Sequence, residues 1–122
     1  MKKIFLTFGL LLLTISMTSQ NKYARAQIEV DGVCGMCKQR IEKAALNTKG
    51  VKSAVWSIET HMLSLILDER KTDLQTVHQN IAAVGHDTKQ IVCTQEAYDG
   101  LHPCCKYKEE AVKEDHKKKD DN

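Results

Sequence analysis

Between Ala24 and Val92 the apolar positions switch back and forth between a two-residue repeat and a three-to-four-residue repeat. Ala26, Ile28 and Val30 alternate with polar neighbours, as in a strand with one buried face, and Asp31-Gly32 ends the run. Gly35 to Thr48 is helix-compatible, with Ile41, Ala44, Ala45 and Thr48 at helical spacing and Lys49-Gly50 as the stop. Ala54, Trp56 and Ile58, then Leu63, Leu65 and Leu67, repeat at period two on either side of Glu59-Thr60-His61, which predicts a hairpin. Leu74, Val77, Ile81 and Val84 mark a second helix, opened by Thr72 or Asp73 and closed by Gly85. Thr88 to Val92 predicts a short last strand. The order is β-α-β-β-α-β, and the expected class is α+β. One four-stranded antiparallel sheet carries Ile28, Trp56, Ile58, Leu65 and Leu67 on a single face, and both helices cover that face as an open-faced sandwich.

On either side of this unit the pattern stops. Met1-Lys2-Lys3 is basic, Ile4 to Leu13 is almost wholly apolar, and Thr14 to Ser19 is small and hydroxylated. That is the pattern of a secretory signal peptide, and the run is shorter than the ~20 apolar residues a bilayer-spanning helix needs. Residues 1–20 are therefore expected to be removed, leaving an exported chain, periplasmic or otherwise extracytoplasmic, with no membrane anchor. Past Cys93, Gly100, His102 and Pro103 break any regular repeat, and Lys106 to Asn122 holds six lysines against six acidic residues. Residues 93–122 thus predict a tail that packs little, with a short helix within Tyr107 to Lys117 and a solvated end from Lys113. His61 in the hairpin and His78 on the second helix are expected to be solvated. The formal charge of +2 vanishes with Lys2 and Lys3, so no field remains that would hold nucleic acid. A chain of 122 residues leaves room for one small domain, too short for most enzyme folds.

Five cysteines are the anomaly, and in an exported chain an odd number leaves at least one outside any disulfide framework. Cys34 falls where the first strand ends and Cys37 in the first turn of the first helix, so two thiols converge across one loop. Backbone N–H groups at a helix start stabilise negative sulfur, and thiolates suit Cu(I) and other soft ions. No second Cys-x-x-Cys lies between Ala24 and Val92, which disfavours a closed four-ligand zinc site. Two alternatives use the same pair: a disulfide, or a thiol-disulfide oxidoreductase with Cys34 as nucleophile. A thioredoxin-type fold is expected to need a cis-proline beside its dithiol, and Pro103 lies beyond the folded unit. In the tail, adjacent cysteines do not readily bridge each other. Cys104 or Cys105 is expected either to pair with Cys93, or to join Cys93 and His102 in a second soft-metal site.

Val30, Cys34, Cys37, Ile41-Glu42, Gly50-Val51, Ala54, Asp68, Ile81 and Gly85 stand in an order and spacing that resembles the heavy-metal-associated domain of copper chaperones, copper-ATPase modules and periplasmic mercury-binding proteins. The resemblance runs from about Ile28 to Val92. It implies a ferredoxin-like fold over 24–92 and a non-enzymatic metallochaperone. Cu(I), Hg(II) or another soft ion would be held on a surface Cys34/Cys37 loop and passed by ligand exchange to a metal-transport partner. Two positions depart from the pattern. Gly32 stands where the family usually has Met, with Met36 between the cysteines, and His86 follows Gly85 where relatives carry Tyr or Phe. The resemblance makes His86 a candidate third ligand and leans toward copper. Lys38, Arg40 and Lys43 are candidates for a local docking face.

Overall fold

Alternation in three segments and a helical stripe in two produce the core elements. The structure, a computed structural model, describes residues 22–120, so the expected signal peptide lies outside the described residues. Strand β1 (Ala24–Glu29), helix α1 (Gly35–Leu46), strands β2 (Val51–Trp56) and β3 (Met62–Leu67) and helix α2 (Leu74–Ala83) follow in order. The sheet is antiparallel with β3 in the middle, in the order β1-β3-β2. Register is set by the side chains that must point inward: Ile28 lies opposite Leu63, and Ala54 opposite Leu65. Ile41, Ala44 and Ala45 from α1 and Val77, Ile81 and Ala82 from α2 complete the core with Trp56, Leu63, Leu65 and Leu67. Ile58 does not join them. β2 ends at Trp56, and Ile58 is exposed in the hairpin turn.

Trp56 organises the end of the sheet nearest the cysteines. It is almost wholly buried, and its indole N–H donates to the Val30 carbonyl at 3.0 Å. A Cβ on Gly32 would lie 3.0 Å from the indole and 3.1 Å from the Cys37 Cβ, so Gly32 leaves to Trp56 the space under the loop that a longer residue would take. The Trp56 backbone is tied to α1 on both sides: its N–H donates to Glu42 at 2.9 Å, and Lys38 Nζ donates to its carbonyl at 2.7 Å while pairing with Glu42. Lys38 thereby joins helix to strand.

The expected fourth strand is not formed among the described residues, where the sheet has three. Val30 and Thr88 make one isolated bridge, with Lys89 N donating to Glu29 O at 3.1 Å and Asp31 N donating to Asp87 O at 2.9 Å. Beyond it the backbone folds on itself. Thr88 N donates to Ile91 O at 2.9 Å, and the Thr88 hydroxyl accepts from Gln90 N and Ile91 N. Asp87 Oδ1 accepts from Cys93 N at 2.8 Å. Side-chain acceptors thus take the donors that a ladder would have used.

The tail also differs from expectation. Helix α3 (Gln95–Asp99), a 3₁₀ turn (Pro103–Cys105) and helix α4 (Glu110–Asp120) follow, and Tyr98, Leu101, Cys105 and Tyr107 are buried in the core. These few apolar residues, too sparse to show a period, suffice because they dock on one spot beside Gly85 and His86. His78 is likewise buried, with Nδ1 2.6 Å from the Thr88 hydroxyl.

Candidate metal centre

At the start of α1 the chain uses a sulfur as its cap. Cys34 is the N-cap residue with extended backbone (φ −143°, ψ 172°), and its Sγ accepts from Cys37 N at 3.4 Å. The two sulfurs of the loop are 3.2 Å apart. Burial works against a Cys34 thiolate, but the N–H of Cys37, the sulfhydryls of Cys105 and Cys37 and the N–H of Met36 outweigh it and hold its pKa below the ordinary thiol value. Cys37, deeper in the helix, moves the other way because burial dominates. The two thiols of the pair are thereby split, Cys34 being the more readily ionised.

The loop is not open to solvent as the family resemblance implies. Cys34 is 7% exposed and Cys37 fully buried, because the tail turn lies on top of them. Cys105 Sγ sits 3.2 Å from Cys34 Sγ, and Cys104 Sγ 3.8 Å from Cys105 Sγ. The ligand atoms of Cys34, Cys104 and Cys105 all lie within 4.8 Å of one another. Pro103 opens the turn at a position where its missing N–H costs nothing, and His102 caps it, Nδ1 accepting from Cys104 N at 3.4 Å and lying 3.2 Å from Cys104 Sγ. Met36, the exposed residue between the loop cysteines, brings Sδ to 3.5 Å from Cys104 Sγ. Burial, then the sulfur of Cys105, pushes the Cys104 thiol up to about 11. Burial, then Cys34 and Cys37, pushes Cys105 up to about 12, against a downward pull from the Arg40 side chain beside it.

Of the tail residues grouped by sequence, the structure keeps Cys104, Cys105 and His102 together and sets Cys93 apart. All five cysteines are free thiols. Cys93 Sγ donates to Gly85 O at 3.3 Å and lies 3.7 Å from Tyr107 Oη, so its neighbours are backbone and phenol and not Cys104 or Cys105. His86, the candidate third ligand, is fully buried. Its Nδ1 lies 2.7 Å from the Asp31 carbonyl, and its ring stacks on Tyr107 at 5.3 Å. It stands outside the group of three cysteine sulfurs and forms the floor on which the tail rests. Arg40, expected on a docking face, has a buried Nη1 with no hydrogen-bond partner. Sequence reasoning selected the cysteines but not their union, since 71 residues separate Cys34 from Cys105 and no local spacing rule spans them.

A two-helix, one-sheet α+β domain with a cysteine cluster at the mouth of its first helix defines a soft-metal-binding module of the chaperone type. The heavy-metal-associated domain model matches residues 27–87, and the chain belongs to that family. Among solved structures, the CopZ metallochaperone is 30% identical, the match covering 53% of this chain and 98% of that one with a TM-score of 0.52. Oxidised MerP from Ralstonia metallidurans CH34 is 24% identical over 55% of this chain and 94% of that one, TM-score 0.53, a likeness of fold. The water-soluble region of the P-type ATPase CopA from Bacillus subtilis is 25% identical over 54% of this chain and 44% of that one, TM-score 0.51. No curated protein matched the chain. The family match ends at residue 87, before the tail that supplies Cys104 and Cys105.

Proposed function

We propose that the protein is an exported, non-enzymatic carrier that binds Cu(I) through Cys34 and Cys37 and either sequesters it or passes it to a metal-transport partner. The observation that carries this reading is the pair of sulfurs 3.2 Å apart at the start of α1, one of them held as the readier thiolate by the helix N–H groups. Thiolate sulfur selects soft monovalent copper over hard cations. The 30% identity to the CopZ metallochaperone supports a metal-carrier role, and the likeness to the soluble region of a P-type ATPase supports a transport partner. The basic-then-apolar N-terminus supports export.

Transfer would proceed by exchange of sulfur ligands. An incoming thiolate from the partner adds to the ion before one protein sulfur leaves, so no bare ion is released. The test is anaerobic titration of the reduced protein with Cu(I) against a chromophoric Cu(I) chelator. Tight binding of one ion per chain is expected, sharply weakened in Cys34→Ser and in Cys37→Ser with circular dichroism unchanged. Absence of any Cu(I) binding overturns the reading; Hg(II) retained in preference to Cu(I) in direct competition would favour a mercury carrier, and sustained reduction of insulin disulfides would favour thiol exchange.

A further inference from the structure

The tail turn delivers sulfur to the loop as closely as the loop delivers it to itself: Cys105 and Cys37 each stand 3.2 Å from Cys34. With a metal–sulfur bond of about 2.3 Å, a linear two-sulfur ion needs its sulfurs about 4.6 Å apart, whereas three sulfurs in a trigonal plane stand about 4.0 Å apart. The sulfur pairs at 3.2, 3.2 and 3.8 Å are all shorter than either spacing and fall nearer the trigonal one, and a third sulfur stands within reach of the loop pair. The sulfurs are also held by ordered chain. Tyr107 Oη donates to Gly85 O at 2.9 Å and accepts from Asp87 N at 2.9 Å. Lys108 pairs with Asp87 at 3.2 Å, and His116 Nε2 lies 3.2 Å from the Cys104 carbonyl. Beneath Cys105, Arg40 keeps a buried nitrogen without a partner, a positive group placed where a polythiolate complex would carry excess negative charge.

Resting on the Cu(I) reading above, we propose that the Cys104-Cys105 turn supplies sulfur to the ion held by the Cys34/Cys37 loop, so that the cargo is bound by three cysteine sulfurs, at least one of them from the tail, and is clamped by it. Each thiol that ligates gives its proton to solvent, and three thiolates around Cu(I) leave a net charge of −2, which Arg40 partly offsets. The partly exposed Cys104, beside Met36, forms the edge at which an incoming thiolate meets the ion; undocking the tail returns it to two-sulfur coordination and eases release.

The experiment uses the full chain loaded with one equivalent of Cu(I). Copper-edge X-ray absorption is expected to count three sulfurs in the wild type and two in Cys104→Ser/Cys105→Ser. That variant should still hold one ion, but with affinity lowered by roughly tenfold or more. Loading should also protect Cys104 or Cys105, and not Cys93, from iodoacetamide, a readout that needs no variant. Two sulfurs in the wild type with tail cysteines alkylated at the unloaded rate overturns the clamp and leaves the Cys34/Cys37 carrier standing. Failure of the wild type to take up Cu(I) overturns both.

Discussion

Gly85 carries two constraints at one position. Its φ of +100° lies in the left-handed region, and a Cβ there would come within 2.7 Å of the Ala97 carbonyl and 2.9 Å of Leu101. Gly85→Ala is therefore expected to cost more than about 1 kcal/mol, measured by chemical denaturation, because the added methyl is strained and also pushes α3 off its seat. Next to it, burial, followed by the opposing pull of the Asp31 carbonyl and the added push of Arg40, drives the His86 pKa down to about 4. An unfolded imidazole protonates near about 6.5, so between those values the unfolded chain binds more protons than the folded one. Stability should be intact above about pH 6.5 and decline as pH falls toward about 4, with His78, lowered by burial, acting in the same sense. Denaturation midpoints at about pH 5 and about pH 7.5 should differ clearly in the wild type and less in His86→Phe. An equal difference in both would remove His86 from the account.

The elements owe their limits to caps and local acceptors more than to propensity. Helix α2 starts at Asp73, whose carboxylate accepts from Thr76 N at 2.8 Å and has its pKa lowered by that bond. Helix α1 starts at a sulfur, a weaker acceptor unless ionised, so the same atom that caps the helix is the one readied for metal. The segment after α2 shows the opposite outcome. Its alternation reads as a strand, but Thr88 and Asp87 capture its N–H groups first. The Thr88 hydroxyl also serves His78, so Thr88→Val strips two backbone donors and a buried ring nitrogen of their partner. A loss of about 2 kcal/mol by urea denaturation is expected. Restored strand pairing with unchanged stability would contradict the local-acceptor argument.

At the scale of the molecule, two layers and a returning tail form one core. Tyr107 is the pin: its ring lies between His86, stacked at 5.3 Å, and Tyr98, edge-on at 5.3 Å, while its hydroxyl bridges Gly85 O and Asp87 N. Tyr107→Phe keeps the ring and deletes the bridge, leaving the Asp87 N–H without its partner and the Gly85 carbonyl with Cys93 Sγ alone, at a cost of about 1–3 kcal/mol. Local opening of the tail should then raise the alkylation rate of Cys105 and Cys93 more than that of the whole-chain unfolding probe, followed by mass spectrometry. Equal alkylation in variant and wild type would show that the tail is held by other contacts.

Legible in the chain alone were the features that repeat or that name a chemistry. Period-two and helical stripes located three strands and two helices, Gly50 and Gly85 marked turns, and Cys-x-x-Cys at a strand-to-helix loop pointed to soft metal. Ile58 and Thr88 to Val92 misled because alternation reports which side chains could face a core, not whether the backbone is free to pair. The buried role of His78 was equally hidden, since a polar residue's burial depends on a distant hydroxyl arriving to meet it, whereas for His86 a backbone hydrogen bond at the helix end was a readable alternative to ligation. The seat of the tail belongs to the same class. Tyr98, Leu101 and Tyr107 form no repeat, and their docking beside Gly85 follows from a surface that exists only once α2 has packed. That docking, and no spacing between neighbours, brings Cys104 and Cys105 against Cys34, because closing a loop of this length is repaid by burial gathered from all over the fold.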